Sequence, residues 1–600
     1  MASRNHRYLI GLTLTFALGS AGAFAACTDS YRNDTSGGPG SGGSGANGAG
    51  GGHGGSGGNL LTDGGICELA CSLDLQKVIN CQGSVIETCT PDRVCVNAAC
   101  SDAPPCEAAQ TSKSSLGCDF WAVKTAQLAV ASGACFAVFI ANTWPKPVKI
   151  TVERNGVQLP IATFAGLPSG QGSSITYTPY DAVNGLLEDQ VAVIFLSQEP
   201  NGGLVQCPLG PAVSAETGLS DTGIGQAFHI QTDYPVVAYQ IAPFGGGQTN
   251  FTSATLLLPT SAWDTNYIAV NGYKRSQVVP LGQPALDIVA KEDDTKVTIL
   301  PKVNIVGGTG VPAAVANTPV TYTLQAGDFL QIVQPEELTG SPVASTHPVG
   351  FFGASTCMSV PADVNYCDSG QQQIAPVKAL GSEYVAVRHR GRNDANEASP
   401  WRLVGAVDGT QLAWSPEIPS GAPTTLNLGE VKEFNVSGPF VVRSQGGTHP
   451  FYLGGYMTGG APYGDEGDPD WVNVIPPQQY LDKYIFFTDP SYPETSIVVI
   501  RKKNFEGKFV DVTLDCAGVL DGWQDLGEYQ FTRVKLVTGN FQSGTGNCEN
   551  GGHKISSTVP FGVTVWGWGD MVPFTRVSYA YPAGAGFQPI NEVVVPPTPE

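Results

Sequence analysis

Charge is what this 600-residue chain has least of. Charged residues make up 14%, with 31 Lys and Arg against 52 Asp and Glu. A formal net charge of -21 leaves no room for the Lys/Arg clusters that phosphate neutralisation requires, so a nucleic-acid partner is not expected. Apolar heptads and long Ala/Leu/Glu/Lys stretches are absent, which excludes long helices and coiled coils. Past the first 26 residues, no apolar run is long enough to span a bilayer as a helix. Catalytic signatures are missing as well: there is no GxxxxGK[ST] phosphate loop, no GxSxG elbow and no HExxH helix. The 7 His include His6 and His53 near the N-terminus, which leaves few candidates for a His-dependent catalyst. A carboxylate-dependent glycosidase survives these exclusions, because its two acids can come from anywhere in the chain.

Gly and Pro are abundant, at 75 and 44 residues, and 42% of the chain is hydrophobic. Six hundred residues is too long for one core, so several domains are expected, and the composition points to short strands joined by turns. The N-terminus reads as an export signal over residues 1–26. Arg4 and Arg7 precede an apolar run at 9–24, and Ala23-Phe24-Ala25 suits signal peptidase. Phe24-Ala25-Ala26-Cys27 also resembles a bacterial lipobox, with Phe where Leu is usual. Fifteen Cys is an odd count for an exported chain; lipidation of Cys27 would leave the others free to pair. Residues 27–66, nearly all Gly, Ser, Ala and Asn from 37 to 58, form a tether that would span roughly 35 Å on average. The expectation is a cell-surface or outer-membrane lipoprotein, or a secreted protein, touching membrane only through its lipid.

Cys67, Cys71, Cys81, Cys89, Cys95, Cys100, Cys106 and Cys118 follow, a disulfide framework of up to four bridges in a module at 67–116. No His lies among them, which argues against a zinc site there.

From 117 to 586 three markers recur in order. The first is a Pro eight residues ahead of a Tyr: Pro259 and Tyr267, Pro376 and Tyr384, Pro476 and Tyr484. "CDFWAV" at 118–123 resembles a first copy lacking the Pro. The second is a pair of apolar or alternating runs across a polar turn, at 136–152, 286–300, 402–414 and 497–514. Each reads as a hairpin, with Asp408-Gly409 a strong turn signal. The third is an extended segment entered through Pro235, Pro348, Pro450 and Pro560, at spacings of 113, 102 and 110. These markers predict an all-β region of about four tandem β-sandwich-like repeats of 100–115 residues, at about 117–258, 259–375, 376–475 and 476–586. A β-propeller is the alternative. Residues 587–600 read as a Pro-rich tail.

The third marker also disposes of a tempting catalytic pair. His347 and His449 each sit in a Thr-His-Pro triplet, but Tyr234 and Val559 hold the same place in the other copies. Pro is the shared residue and His is optional. Two charged clusters remain. Asp465, Glu466, Asp468 and Asp470 form an acidic run that could bind Ca²⁺, the only cofactor the sequence suggests, although it lacks the D-x-[DN]-x-[DN]-G pattern. Arg388, His389, Arg390 and Arg392 form a basic patch that could meet an anionic ligand. By position, Cys135 with Cys207, Cys357 with Cys367, and Cys516 with Cys548 are expected disulfide pairs.

The segment "HPVGFFGASTCMSVPADVNYCDSGQQQIAPVKALGSEYVAV" resembles the Pro-Val strand, paired Cys and following Tyr strand of the IgGFc-binding protein N-terminal domain. "LLLPTSAWDTNYIAV" is similar to the same element one unit earlier, and "GHKISSTVPFGVTVWGWGD" to the end of bacterial members. The resemblance covers about 117–586. The Cys-rich module and Gly tether look like those of exported myxobacterial lipoproteins. The animal relative is a mucus-associated binding protein, so the resemblance implies an extracellular binding or adhesion domain without enzymatic activity. The reading is a lipid-anchored surface protein that recognises a glycan or glycoprotein. Its rivals are an exported polysaccharide hydrolase using Asp465, Glu466 or Asp470, and a purely structural envelope component.

Overall fold

A computed structural model describes residues 69–72, 74–80, 84–202, 206–245, 251–392, 396–569 and 576–597. The signal segment, Cys27, the tether, Cys67 and Cys81 lie outside the described residues. The chain is all-β, as its composition predicts; among the described residues there is one α-helix, α1 (Pro105–Ser112). Cys71–Cys95 and Cys89–Cys100 staple the small N-terminal module, and Cys106–Cys118 ties α1 to the strand that follows.

Four groups of strands follow; in the first, second and fourth the strands are hydrogen-bonded through one long strand, the third is split among separate ladders, and only the strands that frame each crossing are named. The first holds β1 (Gly117–Ala122), β2 (Phe136–Asn142), β3 (Ile150–Arg154), the long β4 (Phe228–Ala242) and β5 (Ser253–Leu257). The second holds β6 (Asp264–Ile268), β7 (Pro284–Ala290), β8 (Thr295–Ile299), the long β9 (Pro342–Met358) and β10 (Asp368–Gln373). The third holds β11 (Glu383–Ala386), β12 (Ser399–Gly405), β13 (Ala413–Ser415), β14 (Phe440–Arg443), β15 (Phe451–Met457) and β16 (Asp470–Asn473). The fourth holds β17 (Leu481–Thr488), β18 (Glu494–Lys502), β19 (Val512–Leu514), the long β20 (Gly551–Trp568) and β21 (Ser578–Pro582).

Each long strand serves two sheets, and the marker Pro sits where it changes from one to the other. Residues 228–232 of β4 pair with β1 and β3, whereas 236–242 pair with β2 and β5. Residues 342–345 of β9 pair with β6 and β8, and the run after Pro348 pairs with β7 and β10. β20 divides the same way around Pro560. In the third group the strand is interrupted: β14 pairs with β11 and β13, β15 with β12 and β16, and Pro450 lies between. Pro has no N–H to donate, so a ladder ends there at little cost and the strand can bend into the second sheet.

That arrangement overturns the four expected hairpins. β2 and β3 do not pair with each other, nor do β7 and β8, β12 and β13, or β18 and β19. The turn between each two carries the chain from one sheet to the other, and the long strand stands between them. Alternation correctly marks the inward face, with Val148, Ile150 and Val152 buried, but it does not say which strand lies alongside.

The Pro-to-Tyr marker builds a pin across this crossing. Pro259, Pro376 and Pro476 each begin a 3-10 turn, which delivers Tyr267, Tyr384 and Tyr484 to the third-marker strand. The Tyr267 hydroxyl accepts from Asp264 N–H at 3.1 Å and donates to the Val349 carbonyl at 2.8 Å. Tyr384 accepts from Gly381 N–H at 2.9 Å and donates to the Phe451 carbonyl at 2.6 Å. Tyr484 does the same with Leu481 N–H and the Phe561 carbonyl. In all three the acceptor is the residue after the marker Pro. Phe120 holds the corresponding place in the first group and has no hydroxyl. Tyr384→Phe and Tyr484→Phe are each expected to lower stability by about 1–3 kcal/mol, because two buried backbone groups lose their partner. Urea unfolding followed by Trp fluorescence measures this; an unchanged midpoint would discard the pin.

The last strands of the four groups meet in a ring. β5 packs beside β10, β10 beside β16, β16 beside β21, and β21 beside β5. The two architectures left open by the sequence therefore combine: each group spans two sheets, as in a sandwich, and the groups close around an axis, as blades do. Ser115 N–H donates to the Ala585 carbonyl at 2.7 Å, and Phe139 meets Phe487 at 4.7 Å, joining the first group to the last. The described part of the expected Pro-rich tail is not loose. Asn266 exchanges two hydrogen bonds with Val595, and Asn591 donates to the carbonyls of Val377 and Leu380. Buried Asn side chains thus give this extended segment the partners it lacks in itself.

Candidate functional site

Four connections lead back to the central ring, and their described residues are 243–245 with 251–252, 359–367, 458–469, and 569 with 576–577. All enter the ring where β5, β10, β16 and β21 begin, so they gather on one face. They are laced together. Gly459 N–H donates to the Val360 carbonyl at 2.9 Å and Gly467 N–H to the Gly569 carbonyl at 2.7 Å. Phe251 N–H donates to Asp368 Oδ1 at 2.6 Å. The Cys357–Cys367 disulfide closes the base of the second loop.

Tyr366, Tyr463, Asp465 and Arg576 form the outer rim. Arg576 lies 4.2 Å from the Tyr366 ring centroid and makes a 3.0 Å ion pair with Asp465 Oδ2. The pair is open to solvent, with side-chain exposures of 45% and 39%. The Arg576 guanidinium holds the Asp465 carboxyl below the usual carboxylate range. Tyr366, Asp465 and Arg576 all adopt positive φ, at 72°, 67° and 61°. Non-glycine residues are rarely left-handed, and such strain persists only where the surroundings impose it.

The structure brings together two clusters that lie far apart in sequence. Arg392 Nη1 donates to the Glu466 carbonyl at 2.7 Å and Nη2 to Thr458 Oγ1 at 2.9 Å, while its guanidinium lies 4.4 Å from the Tyr463 ring centroid. The basic patch and the acidic run are thus two halves of one loop support.

Neither cluster is what its sequence suggested. The basic patch is not an open ligand surface: Arg388, His389 and Arg392 are buried, and Arg390 is half-buried. Arg392 forms an internal pair with Glu397 at 2.6 Å, and Arg390 pairs with Glu494 over the face of Trp568. Burial pushes the Glu397 carboxyl up, and the Arg392 guanidinium more than offsets this and holds it low. Burial drives His389 down to about 3, so it stays neutral at physiological pH. The cavity beside His389 is about 30 Å³, room for little more than a water. These charges turn inward because the chain beyond them folds over to supply their carboxylates.

The acidic run splits. Asp465 faces solvent, whereas Asp468 and Asp470 are sealed beneath the loops. Asp470 Oδ1 accepts from Ser253 Oγ at 3.1 Å and from Trp471 N–H at 2.7 Å. Burial pushes Asp368, Asp468 and Asp470 well up, and for Asp368 the neighbouring Asp468 adds to the shift. Among the described residues these carboxylates are not gathered as a set of cation ligands: Asp465 is turned outward to Arg576, and Asp470 is engaged by Ser253 and the Trp471 N–H. The acids proposed for hydrolysis are likewise separated, with Asp465 paired to Arg576 and Asp470 enclosed.

His347 and His449 have separate surroundings. His347 faces Glu292 at 3.8 Å and Thr295 at 3.4 Å; His449 bonds Thr448 at 2.9 Å. Cys135–Cys207 and Cys516–Cys548 are joined in the first and fourth groups. Sequence reasoning missed Tyr366, Tyr463 and Arg576. An available signal was that Tyr366 sits directly before Cys367, at the end of a loop closed by two Cys.

Comparison with curated proteins returns no match. The family model described as IgGFc binding protein matches residues 253–567, narrower than the 117–586 of the sequence resemblance. The match begins at the first residue of β5 and ends within β20. It takes in the second and third groups, most of the fourth, and the loops carrying Tyr366, Tyr463 and Asp465. The chain belongs to the IgGFc binding protein family.

Proposed function

We propose that this is an exported surface protein that binds a glycoprotein or its glycan on the loop face at the end of the central ring. The observation that carries the reading is the meeting there of the loops at 359–367 and 458–469 with Gly569 and Arg576 over a buried support, with two Tyr rings and an Arg–Asp pair at the rim. Aromatic faces stack on sugar rings or apolar side chains, and the charged pair can hydrogen-bond hydroxyls or amides. A laced, disulfide-closed rim loses little conformational entropy on binding. A family named for binding supports the same role. The N-terminal segment fits this function: a signal at 1–26, lipid on Cys27 and a flexible tether would hold the ring clear of a membrane.

Retention of the purified mature protein on glycan and mucin arrays tests the proposal. Tyr366→Ala, Tyr463→Ala and Arg576→Ala are each expected to weaken retention at least about tenfold, the scale of an interface anchor. No retention above background, or retention indifferent to all three changes, would overturn it.

A further inference from the structure

A second constellation lies in the fourth group, on strands away from the loop face. Asp515 and Cys516 follow β19, and His553 lies on β20, which pairs with β19 through Leu514 and Ile555. Asp515 N–H donates to the Lys554 carbonyl at 2.9 Å, and Lys554 N–H returns a bond to Asp515 Oδ2 at 2.9 Å. The paired backbones thereby fix the three side chains against one another. Their donor atoms all lie within 4.8 Å of each other.

The His553 tautomer is set. Nε2 faces the Glu549 carbonyl at 2.8 Å, an acceptor only, so Nε2 carries the proton and donates it. Nδ1 faces Asp515 Oδ1 at 3.5 Å and Cys516 Sγ at 3.7 Å, and in the neutral ring it presents them with a lone pair. Two acceptors facing each other repel unless a cation sits between them. A carbonyl holding the far nitrogen of a His is also the usual outer support of a metal ligand. Cys516 is bonded to Cys548 in the structure, and a disulfide sulfur is a poor ligand, whereas a thiolate is a strong one.

We propose that Asp515, Cys516, His553 and Cys548 form a redox-gated zinc site, closed by the Cys516–Cys548 disulfide and opened by its reduction. A dithiol reductant supplies the two electrons. Its thiolate attacks the protein disulfide, a mixed disulfide forms, and the second thiol displaces it, leaving a cyclic disulfide of the reductant and two protein thiols. Zn²⁺ then binds both sulfurs as thiolates and two protons leave. One carboxylate oxygen and His553 Nδ1 complete a tetrahedral set. The site is reachable: Asp515 is 40% exposed and Cys516 half-buried.

Cys548→Ser in the full mature chain frees the Cys516 thiol with no reductant present. Titrated with Co²⁺, it is expected to show tetrahedral d–d bands with sulfur-to-cobalt charge transfer, abolished by one equivalent of Zn²⁺. The oxidised parent should show neither. Adding His553→Ala or Asp515→Asn should weaken uptake at least about tenfold. A folded Cys548→Ser chain that takes up no cobalt, or binds it equally well without His553, would overturn the site and leave a proton as the shared cation. If that variant does not fold, the parent is partly reduced with dithiothreitol and alkylated with and without Zn²⁺. Zinc should protect Cys516 and Cys548, and equal labelling would overturn the proposal.

Discussion

Arg392→Ala is expected to lower the unfolding free energy by about 3–5 kcal/mol, the range for breaking one side of a buried ion pair. Both side chains are shut off from water. Glu397 Oε1 receives Arg392 Nη2 at 2.6 Å and Nε at 3.1 Å, and Oε2 receives the Arg392 backbone N–H at 3.1 Å. Without the guanidinium, Glu397 would be a buried charge with one backbone donor, and the Glu466 carbonyl and Thr458 would also lose a partner. The double change Arg392→Met with Glu397→Gln should be much milder, because no lone charge remains. Urea denaturation of the parent, Arg392→Met, Glu397→Gln and the double closes the cycle, with Arg392→Ala measured beside it. If Arg392→Ala and the double variant are equally destabilised, the pair is not what holds this region. Arg392 also supports the loop bearing Tyr463, so its loss should weaken ligand retention at denaturant-free conditions where the chain is still folded.

Gln372→Leu is expected to cost about 3–5 kcal/mol although the replacement has similar volume and greater apolarity. β5, β10, β16 and β21 are each paired on one side only, so their outer backbone groups need partners inside the ring. Gln372 Nε2 lies 3.0 Å from the Ala254 carbonyl, 2.9 Å from that of Trp471 and 3.1 Å from that of Ala580. One side-chain amide thus touches all three other central strands. Gln371 and Gln373 do related work, with Gln371 Nε2 donating to the Ser253 carbonyl at 2.7 Å and Gln373 Oε1 accepting from Leu258 N–H at 2.7 Å. A buried amide that satisfies carbonyls cannot be replaced by hydrocarbon without stranding them. The check is the urea midpoint of Gln372→Leu beside Gln372→Glu; a Leu variant as stable as the parent would show that the axis does not need the amide.

The run Gln371-Gln372-Gln373 shows where a sequence stops being readable. Three adjacent polar residues look like a solvated edge, yet all three are buried. Their burial follows from the ring, which sequence periodicity does not describe. Arg388 to Arg392 fails for the same reason: a cluster of cations looks exposed until Glu397 and Glu494 are folded against it. Cys357 and Cys367 fared better, since ten residues separate them and a short loop brings such a pair together without distant help.

What the sequence determined by itself is local. Scarce charge, abundant Gly and Pro and alternating runs dictate an all-β chain, and the order of Pro and Tyr markers carries the family. These depend on backbone preferences acting over a few residues. Tertiary structure decided what those markers do: the Pro lets one strand serve two sheets, the Tyr pins the crossing, and four edge strands close on buried Gln. It also decided that most of the expected basic and acidic clusters is a support beneath a rim of Tyr366, Tyr463, Asp465 and Arg576. Pairing partners and burial arise from contacts between residues a hundred or more apart, and the energy of each such contact depends on chain that local pattern cannot see.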